Sequence, residues 1–216
     1  MQKLVDEFHR KGKEVDYKNR QLILGQGSSG DHVLLLTHGF VRVVRQLADG
    51  RSRWLAFRGP MNLLGEMSAL AGKPRNADVA AIGACRAVKM ACEDFLTLIQ
   101  KGDVSHELLL WEQGLRNEAE LTRFWLKDLP LDVRLARTLL YLAGNGSTTR
   151  VEGLTREVLA QAVGVTRNAL RPVLKGLKEA GAVIARRESL EIKDIRALRD
   201  MAKDARRVRH CARQIE

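Results

Sequence analysis

Short apolar runs separated by glycines occupy the chain from about residue 14 to residue 88, and this pattern limits the fold more than any other feature. The glycines that separate the runs are Gly27, Gly30, Gly39, Gly50, Gly59, Gly65, Gly72 and Gly83. Short apolar runs between turn residues are typical of strands, and many short strands close into a sandwich or barrel. We therefore predict a jelly roll with Asp49-Gly50 in a hairpin turn. Its predicted strands are residues 21–24, 32–37, 40–46, 53–58, 77–82 and 84–91.

The pattern changes to helical spacing after Cys92. We predict a short helix over residues 93–100, a long helix over 105–128 and a third helix over 131–144, which Gly144-Asn145-Gly146 would end. Pro130 stops the long helix and marks a hinge. The long helix repeats large side chains at heptad-like steps, namely Leu108, Trp111, Leu115, Thr122, Trp125 and Leu129. Such a stripe fits either a surface helix lying on the β domain or the seam of a homodimer, and the two tryptophans favour the seam.

The length of 216 residues suits two compact cores. We place a β domain at residues 1–104, a dimerisation helix and hinge at 105–130, and a smaller domain at 131–216. The net charge is +11, and residues 131–216 carry 18 Lys and Arg against 10 Asp and Glu. Positive charge concentrated in the smaller domain, including a basic helix and tail from residue 194, indicates a polyanionic partner. Nucleic acid is the first choice and an anionic membrane the second.

The chain has no apolar stretch of the roughly 18 residues that a membrane span needs, and its amino terminus is charged throughout. We therefore expect a cytoplasmic protein without a membrane partner. The three cysteines, Cys85, Cys92 and Cys211, are odd in number and scattered. Free thiols in a reducing compartment explain them better than a disulfide framework.

Residues 154–176 have the layout of a helix-turn-helix. Thr155 suits the N-cap of a first helix, and Ala160 is small enough to let two helices cross closely. Gly164 supplies the turn, and Thr166 caps the second helix. Two short strands, at 182–185 and 190–193, would then form a β wing. The smaller domain is therefore predicted to be a winged helix-turn-helix.

The second helix of this motif would place polar and basic side chains in the major groove of DNA. Arginine pairs with the guanine edge and asparagine with the adenine edge, so we predict that Arg167, Asn168 and Arg171 contact bases. Pro172 predicts a kink or displacement of this helix that affects Arg171 most. The predicted DNA-binding set is completed by Thr155, Arg156, Thr166 and Lys175, and by Arg186 and Arg187 in the wing. The alternative is that the arginines form only a solvated helix face.

Residues 64–77 carry the features of a small anion site. Gly65 to Leu70 can form a short helix whose free N–H groups face a pocket. Arg75 adds a forked, permanently charged donor, and Glu66 can accept from a sugar hydroxyl. Each of these features is weak evidence when taken alone.

In combination, the chain resembles the cyclic-AMP receptor and fumarate-nitrate-reductase-type (Crp/Fnr) family of bacterial transcription regulators over nearly its whole length. The residues that carry the resemblance are Gln26-Gly27, Gly30-Asp31, Gly39, Asp49-Gly50-Arg51, the stretch from Gly65-Glu66 to Arg75, the long helix, Leu139-Leu140 and residues 155–175. The resemblance implies a cyclic-nucleotide-binding jelly roll, a dimerisation helix and a winged helix that binds a palindromic site on double-stranded DNA. RNA polymerase is the further partner that it implies.

By the family pattern, Arg75 would hold the cyclic phosphate, Glu66 the ribose 2′-hydroxyl and the backbone of residues 66–69 the other phosphate oxygens. The chain departs from that pattern in three ways: Asn76 replaces a common Ser or Thr, Ala119 and Glu120 align with hydroxyl residues that contact adenine, and Pro172 replaces a base-contacting Arg. Because Glu120 can accept from the donor edge of guanine, cyclic GMP is favoured over cyclic AMP as effector. The predicted effector-binding residues are Gly65, Glu66, Met67, Ser68, Arg75, Asn76 and Glu120.

Other functions on the same scaffold remain alternatives. A redox or gas sensor would need an iron–sulfur cluster or haem, but three cysteines without ferredoxin-like spacing are too few, and His9, His32 and His38 are scattered. A constitutive regulator with an unused pocket is also compatible with the residues. An enzyme is disfavoured because no nucleophile, base and orienting group are assembled. We expect no metal and no tightly bound cofactor.

Overall fold

The computed structural model describes residues 2–102, 104–144 and 149–203, and for residues 121–127 it describes the backbone alone. The chain divides into two compact units, Met1–Asn117 and Glu118–Glu216. The first unit contains α1 (Gln2–Lys11), β1 (Lys13–Tyr17), β2 (Leu22–Leu24), β3 (His32–Gln46), β4 (Ser52–Arg58), β5 (Leu63–Leu64), α2 (Glu66–Ala71), β6 (Asp78–Ala91), α3 (Cys92–Gln100) and the start of α4 (Ser105–Asp128). The division falls inside α4, whereas the sequence predicted this helix as a segment between two domains.

Two long strands, β3 and β6, form the centre of the six-stranded sheet of this unit. The strand order is β1-β6-β3-β4, with β2 on β6 and β5 on β3. Each long strand was predicted as two short ones, and that prediction is wrong. At Gly39 (φ +82°) an added Cβ would lie 2.5 Å from the carbonyl oxygen of Ala84, and the register with β6 shifts beside it. Glycine therefore bends the strand at an irregularity without ending it.

The sheet is buried on both faces at its centre. Val33 and Leu35 belong to one apolar cluster, which includes residues of α1, α3 and α4. Leu34 and Leu36, on the other face of β3, belong to a second cluster with residues of β6. Full burial of each such side chain contributes about 1.5–3 kcal/mol. This two-sided core explains why the strands are nearly continuous apolar runs.

The helix α1 was not predicted from the sequence. Its apolar residues Leu4, Val5 and Phe8 are buried, and the Phe8 ring meets Phe95 edge-on with centroids 6.2 Å apart. Glu107 on α4 accepts a hydrogen bond at 3.2 Å from the N–H of Leu4, one of the free donors of the first turn. The three apolar residues share one face of a ten-residue helix, a pattern shorter than the window of about 11–18 residues in which helical periodicity is recognised.

The beginning of α4 lies on the β domain. Leu108 is buried in the same cluster as Val33, and Trp111 packs against that cluster. Both were predicted in the dimer seam. For Leu108 that assignment is wrong, because it is buried in the chain's own core, whereas Trp111 is half-buried and its part in a seam stays a prediction. The exposed large apolar residues at the beginning of α4 are Leu109 and Leu110. The side chains of Thr122 and Trp125, also predicted in the seam, lie outside the described residues.

The second unit contains a small core of helices and a three-stranded sheet. After the end of α4 it holds α5 (Leu131–Leu142), β7 (Arg150–Glu152), α6 (Arg156–Ala162), α7 (Arg167–Glu179), β8 (Val183–Ala185), β9 (Ser189–Ile192) and α8 (Ile195–Lys203). The sheet order is β7-β9-β8, so β7 adds a strand that was not predicted. Pro130 is the N-cap of α5, as its place after the long helix predicts. Asn145 and Gly146 of the predicted helix stop lie outside the described residues.

The predicted fold class, a β domain followed by a winged helix-turn-helix, is confirmed by these two units. Among the described residues, no helix combines the length and apolar character that a membrane crossing requires.

Candidate functional site

The residues of the predicted anion site meet in one place in the first unit. Gly65 is the N-cap of α2 with φ +89°, and an added Cβ would lie 2.2 Å from Nη1 of Arg75. Glycine is therefore required there both by the backbone and by the approach of Arg75. The backbone of Arg75 is bonded to the loop before β3, where Gly27 N–H donates to its carbonyl at 2.8 Å and its own N–H donates to Ser28 at 2.9 Å.

The guanidinium of Arg75 is held inside this site, and the residue is only 3% exposed. Nη1 donates to the carbonyl oxygen of Gly65 at 2.6 Å, and Nη2 donates to the carbonyl oxygen of His32. Asp31 lies 3.9 Å from Nη2. Nε is buried without a partner among the described residues. Burial lowers the pKa of Arg75, but a guanidinium stays protonated, so the site keeps a cation whose Nε–H is not used by the described residues.

Glu66, the first residue of α2, is also buried. Its pKa is raised to about 7, chiefly by burial, and Glu112 raises it further while Arg58 and Arg75 lower it. Neither Glu112 nor Arg58 was predicted from the sequence. They come from α4 and the end of β4, and no local pattern around either residue connects it with Glu66.

The other predicted effector residues differ in exposure. Ser68 is buried, whereas Met67 is 55% exposed. Asn76 is exposed and its Nδ2 lies 3.7 Å from the sulfur of Met67. Glu120 is exposed and belongs to the second unit, whereas the α4 carboxylate that acts electrostatically on Glu66 is Glu112.

The helix-turn-helix of the second unit is held by local caps. The Thr155 hydroxyl accepts from the N–H of Val158 at 3.2 Å, and the Thr166 hydroxyl accepts from the N–H of Ala169 at 3.3 Å. Both predicted caps are present. A cap of this kind contributes about 1 kcal/mol to its helix.

A basic groove lies along α7. It has a volume of about 500 Å³ and is lined by Arg156, Arg167, Leu170, Arg171, Leu174, Lys175, Lys178 and Glu179. The predicted contacts Arg156, Arg167, Arg171 and Lys175 are thus brought together. Asn168 is exposed outside this lining. We use the name basic groove for this surface below.

Two acidic residues pair with cations of the basic groove. Nε of Arg167 lies 3.5 Å from Oε2 of Glu157, and Nζ of Lys175 lies 3.4 Å from Oε1 of Glu179. The helix continues through Pro172, which is exposed. Pro172 therefore does not end α7, and the kink or displacement stays a prediction.

The turn of the wing is basic and exposed. Arg186 and Arg187 are both exposed, and the N–H of Arg186 donates to the carbonyl oxygen of Ser189 at 2.8 Å. The turn therefore leaves both side chains accessible to a partner.

The cysteines and histidines do not form a cluster in the described part of the chain. Cys85 is buried, which raises the pKa of its thiol, and Cys92 is half-buried. Cys211 lies outside the described residues. Within those residues, no three His, Cys, Asp or Glu side chains are grouped to hold a metal ion.

Two domain families match this architecture. A cyclic nucleotide-binding domain matches residues 14–102, and a Crp-like helix-turn-helix domain matches residues 133–201. The cyclic AMP receptor protein of Thermus thermophilus is 30% identical over 187 residues, which cover 86% of each chain. A CRP-like cAMP-activated global transcriptional regulator of Mycobacterium tuberculosis is 29% identical over 189 residues, 83% of this chain and 84% of that one.

Solved structures show the same fold. FixK2 from Bradyrhizobium japonicum superimposes with a TM-score of 0.74 at 19% identity, covering 88% of this chain and 96% of that one. The c-di-GMP responsive regulator CLP from Xanthomonas campestris gives 0.64 at 20% identity, covering 88% and 98%.

A cyclic nucleotide-binding domain followed by a Crp-like helix-turn-helix domain is the domain order of a transcription regulator. The chain belongs to the Crp/Fnr family of transcription regulators, and it has a cyclic nucleotide-binding domain and a helix-turn-helix DNA-binding domain. The resemblance found in the sequence is thereby confirmed.

Proposed function

We propose that this protein is a homodimeric regulator that binds a palindromic DNA site and whose DNA affinity is controlled by a cyclic nucleotide. The single observation that supports control by a cyclic nucleotide is the unpaired Nε of Arg75. The side chain is buried, and its Nε has no partner among the described residues. A buried unpaired donor costs free energy. A phosphate oxygen that accepts from Nε would recover that cost.

The surroundings of Arg75 support this assignment. Because Gly65 and His32 hold the two terminal nitrogens, the direction of Nε is set before a ligand arrives, which reduces the cost of binding. Glu66 can accept from a ribose hydroxyl when ionised and can donate when protonated. Met67 and Asn76, both exposed, are available to a nucleobase.

The proposed DNA binding is supported by the basic groove. Arg167, Asn168 and Arg171 would contact base edges, while Arg156 and Lys175 would contact phosphates. Thr155, Thr166 and the wing arginines Arg186 and Arg187 complete the predicted contacts. Two copies related by a twofold axis would meet a palindromic site, since the symmetry of the DNA mirrors that of the dimer. RNA polymerase is the partner through which such a regulator would act.

The test is a calorimetric titration of the protein with cyclic AMP, cyclic GMP and cyclic di-GMP. Arg75→Lys keeps the charge and removes the planar fork, so it should weaken binding of the nucleotide by about tenfold or more. Arg86→Lys is the matched control, because Arg86 is exposed on β6 and paired with Asp16. Thermal melts of both variants check that they fold.

DNA binding is then measured on sites that the wild-type protein selects from a random pool, with and without each nucleotide. We expect DNA affinity to change with the nucleotide that binds. Wild-type protein that binds none of the three, and binds DNA equally in their presence and absence, would be a constitutive regulator. This result does not depend on whether the Arg75 variant folds.

A further inference from the structure

An acidic side chain lies beside Arg167, one of the predicted base contacts. Glu157 lies in the first turn of α6, and its Oε2 is 3.5 Å from Nε of Arg167 at the start of α7. An acid on a surface that meets DNA phosphates opposes binding, so Glu157 was not among the predicted DNA-binding residues. We propose that Glu157 is a positioning residue for Arg167 and thereby determines the DNA sequence preference of this protein. The inference rests on the proposed DNA-binding function.

The geometry leaves Arg167 free to contact a base. A guanidinium has one inner nitrogen, Nε, and two terminal nitrogens that form the fork. The nitrogen closest to Glu157 is Nε, at 3.5 Å, so both terminal nitrogens remain available for the paired acceptors of a guanine edge. The contact therefore limits the orientation of the fork without using its donors.

The carboxylate of Glu157 also contacts a second side chain, on its own helix α6. Its other oxygen, Oε1, lies 3.5 Å from Nε2 of Gln161, one turn further along α6. Arg167 meanwhile shares the basic groove with Arg156, Arg171 and Lys175. Like charges push a flexible arginine away from such a cluster, and Glu157 is the acid that counters this repulsion at Arg167.

The ion pair contributes little to the free protein. The side chains of Arg167 and Glu157 are 67% and 54% exposed, and exposed pairs add little to folding stability. When DNA covers the groove and water leaves it, the attraction between the two groups becomes stronger. The role of Glu157 is therefore expected in DNA recognition and not in the fold.

Glu157 also opposes non-specific binding of DNA. Its negative charge repels the phosphates of any DNA, and this cost is offset only where Arg167 finds its base. Specificity is a difference between affinities, and a repulsive element of this kind increases the difference. Loss of the carboxylate should raise affinity for random DNA while it lowers discrimination.

Glu179, which lines the basic groove, offers a matched control. It pairs with Lys175 at 3.4 Å, and the two side chains are similarly exposed, 66% and 73%. Glu179→Gln removes the same charge as Glu157→Gln from the same surface, but the ion pair it removes is that of Lys175. The two variants should change the salt dependence of DNA binding alike, by up to about one unit of slope. Only the change at Glu157 should alter the base preference.

The experiment selects DNA from a random pool with the full chain and measures the affinity ratio of the selected site to random DNA at fixed salt. Glu157→Gln should lower this ratio about tenfold, as should Glu157→Asp, which keeps the charge but is one methylene too short. Glu179→Gln should leave the selected sequence unchanged. In an Arg167→Ala background, Glu157→Gln should have no further effect on base preference.

Two results would overturn the inference. One is a selected sequence that is identical for wild type and both Glu157 variants. The other is a change of base preference by Glu157→Gln in the Arg167→Ala background, because Glu157 would then act without Arg167. A wild-type protein that selects no sequence at all would instead overturn the proposed DNA-binding function, and the inference with it. Thermal melts of each variant separate these results from a loss of fold.

Discussion

At Glu66 the fold buries a carboxyl group next to charges of both signs. Burial is the main reason that its pKa rises from 4.5 to about 7, and Glu112 raises it further. Between these two values the folded protein keeps a proton that the unfolded chain has released. The unfolded state then binds fewer protons, so the free energy of unfolding falls as pH rises.

We predict that Glu66 alone lowers the free energy of unfolding by up to about 3 kcal/mol as the pH rises from 4.5 to 7 and above. Glu66→Gln keeps the shape without the charge, so the variant should gain stability relative to wild type as pH rises through this range. Denaturant unfolding at several pH values measures the difference. Glu93→Gln, an exposed acid on α3, is the control and should keep the wild-type slope. Equal slopes for wild type and Glu66→Gln would contradict the prediction.

At the scale of the element, α4 has two different apolar faces in its first turns. Leu108 and Trp111 face the β-domain core, whereas Leu109 and Leu110 are 66% and 57% exposed. Gly114 follows one turn after Leu110, and an added Cβ there would meet nothing within 4 Å. Exposed leucines beside an open glycine fit the close approach of a second helix. We therefore place the proposed dimer contact on this outer face.

Leu110→Glu should give monomers in analytical ultracentrifugation at micromolar concentration, because a charge would be buried in the contact between two copies. The melting temperature of the β domain should change little. Leu108→Glu is the contrasting variant and should destabilise the β domain by several kcal/mol, since it puts a charge into the core. A Leu110→Glu protein that still sediments as a dimer would show that the contact lies elsewhere.

Gly114→Ala separates helix stability from association. Alanine should stabilise α4 in the single chain by up to about 1 kcal/mol, because glycine is a poor helix former and the new methyl group meets nothing. If the partner helix passes close to this position, the same methyl group should weaken the dimer. Dimer dissociation is measured by sedimentation and chain stability by unfolding at low concentration. If Gly114→Ala increased both the stability of the chain and the affinity of the dimer, the dimer contact would lie away from Gly114.

At the scale of the whole molecule, the two units share one continuous helix. The boundary between them falls at Asn117 and Glu118 inside α4. The part of α4 that belongs to the first unit carries Glu112, which acts electrostatically on Glu66. A ligand that contacts the β domain can control DNA binding only if it binds two arrangements of the molecule with different affinities.

We predict that effector and DNA binding are coupled reciprocally. A saturating cyclic nucleotide should change DNA affinity by about 5–150-fold, and saturating DNA should change nucleotide affinity by the same factor. Calorimetry with and without the selected DNA measures the change in nucleotide affinity. Fluorescence anisotropy with and without the nucleotide measures the change in DNA affinity. Binding of both ligands with no change in either affinity would show that the two units act independently.

Local sequence was sufficient for the features that depend on near neighbours in the chain. Thr155 and Thr166 were predicted as caps because each hydroxyl needs only an N–H three residues later. The predicted strand from residue 53 to residue 58 lies within β4, because short apolar runs and an Asp-Gly turn are local properties. The family resemblance likewise followed from short motifs such as Gly65-Glu66.

Tertiary structure decided which face of an element is covered and which charges meet. The stripe from Leu108 identified a helix with an apolar face, but only the packing of α4 on the β domain assigned Leu108 inward and Leu110 outward. Gly39 was predicted between two strands, but β3 continues through it with a shift of register against β6, where an added Cβ would lie 2.5 Å from the carbonyl oxygen of Ala84. The burial of Glu66 likewise depends on residues distant in the chain. The pairing of Glu157 with Arg167 depends on a second helix. Burial and electrostatic energies depend on distances in space, and these exist only after the chain has folded.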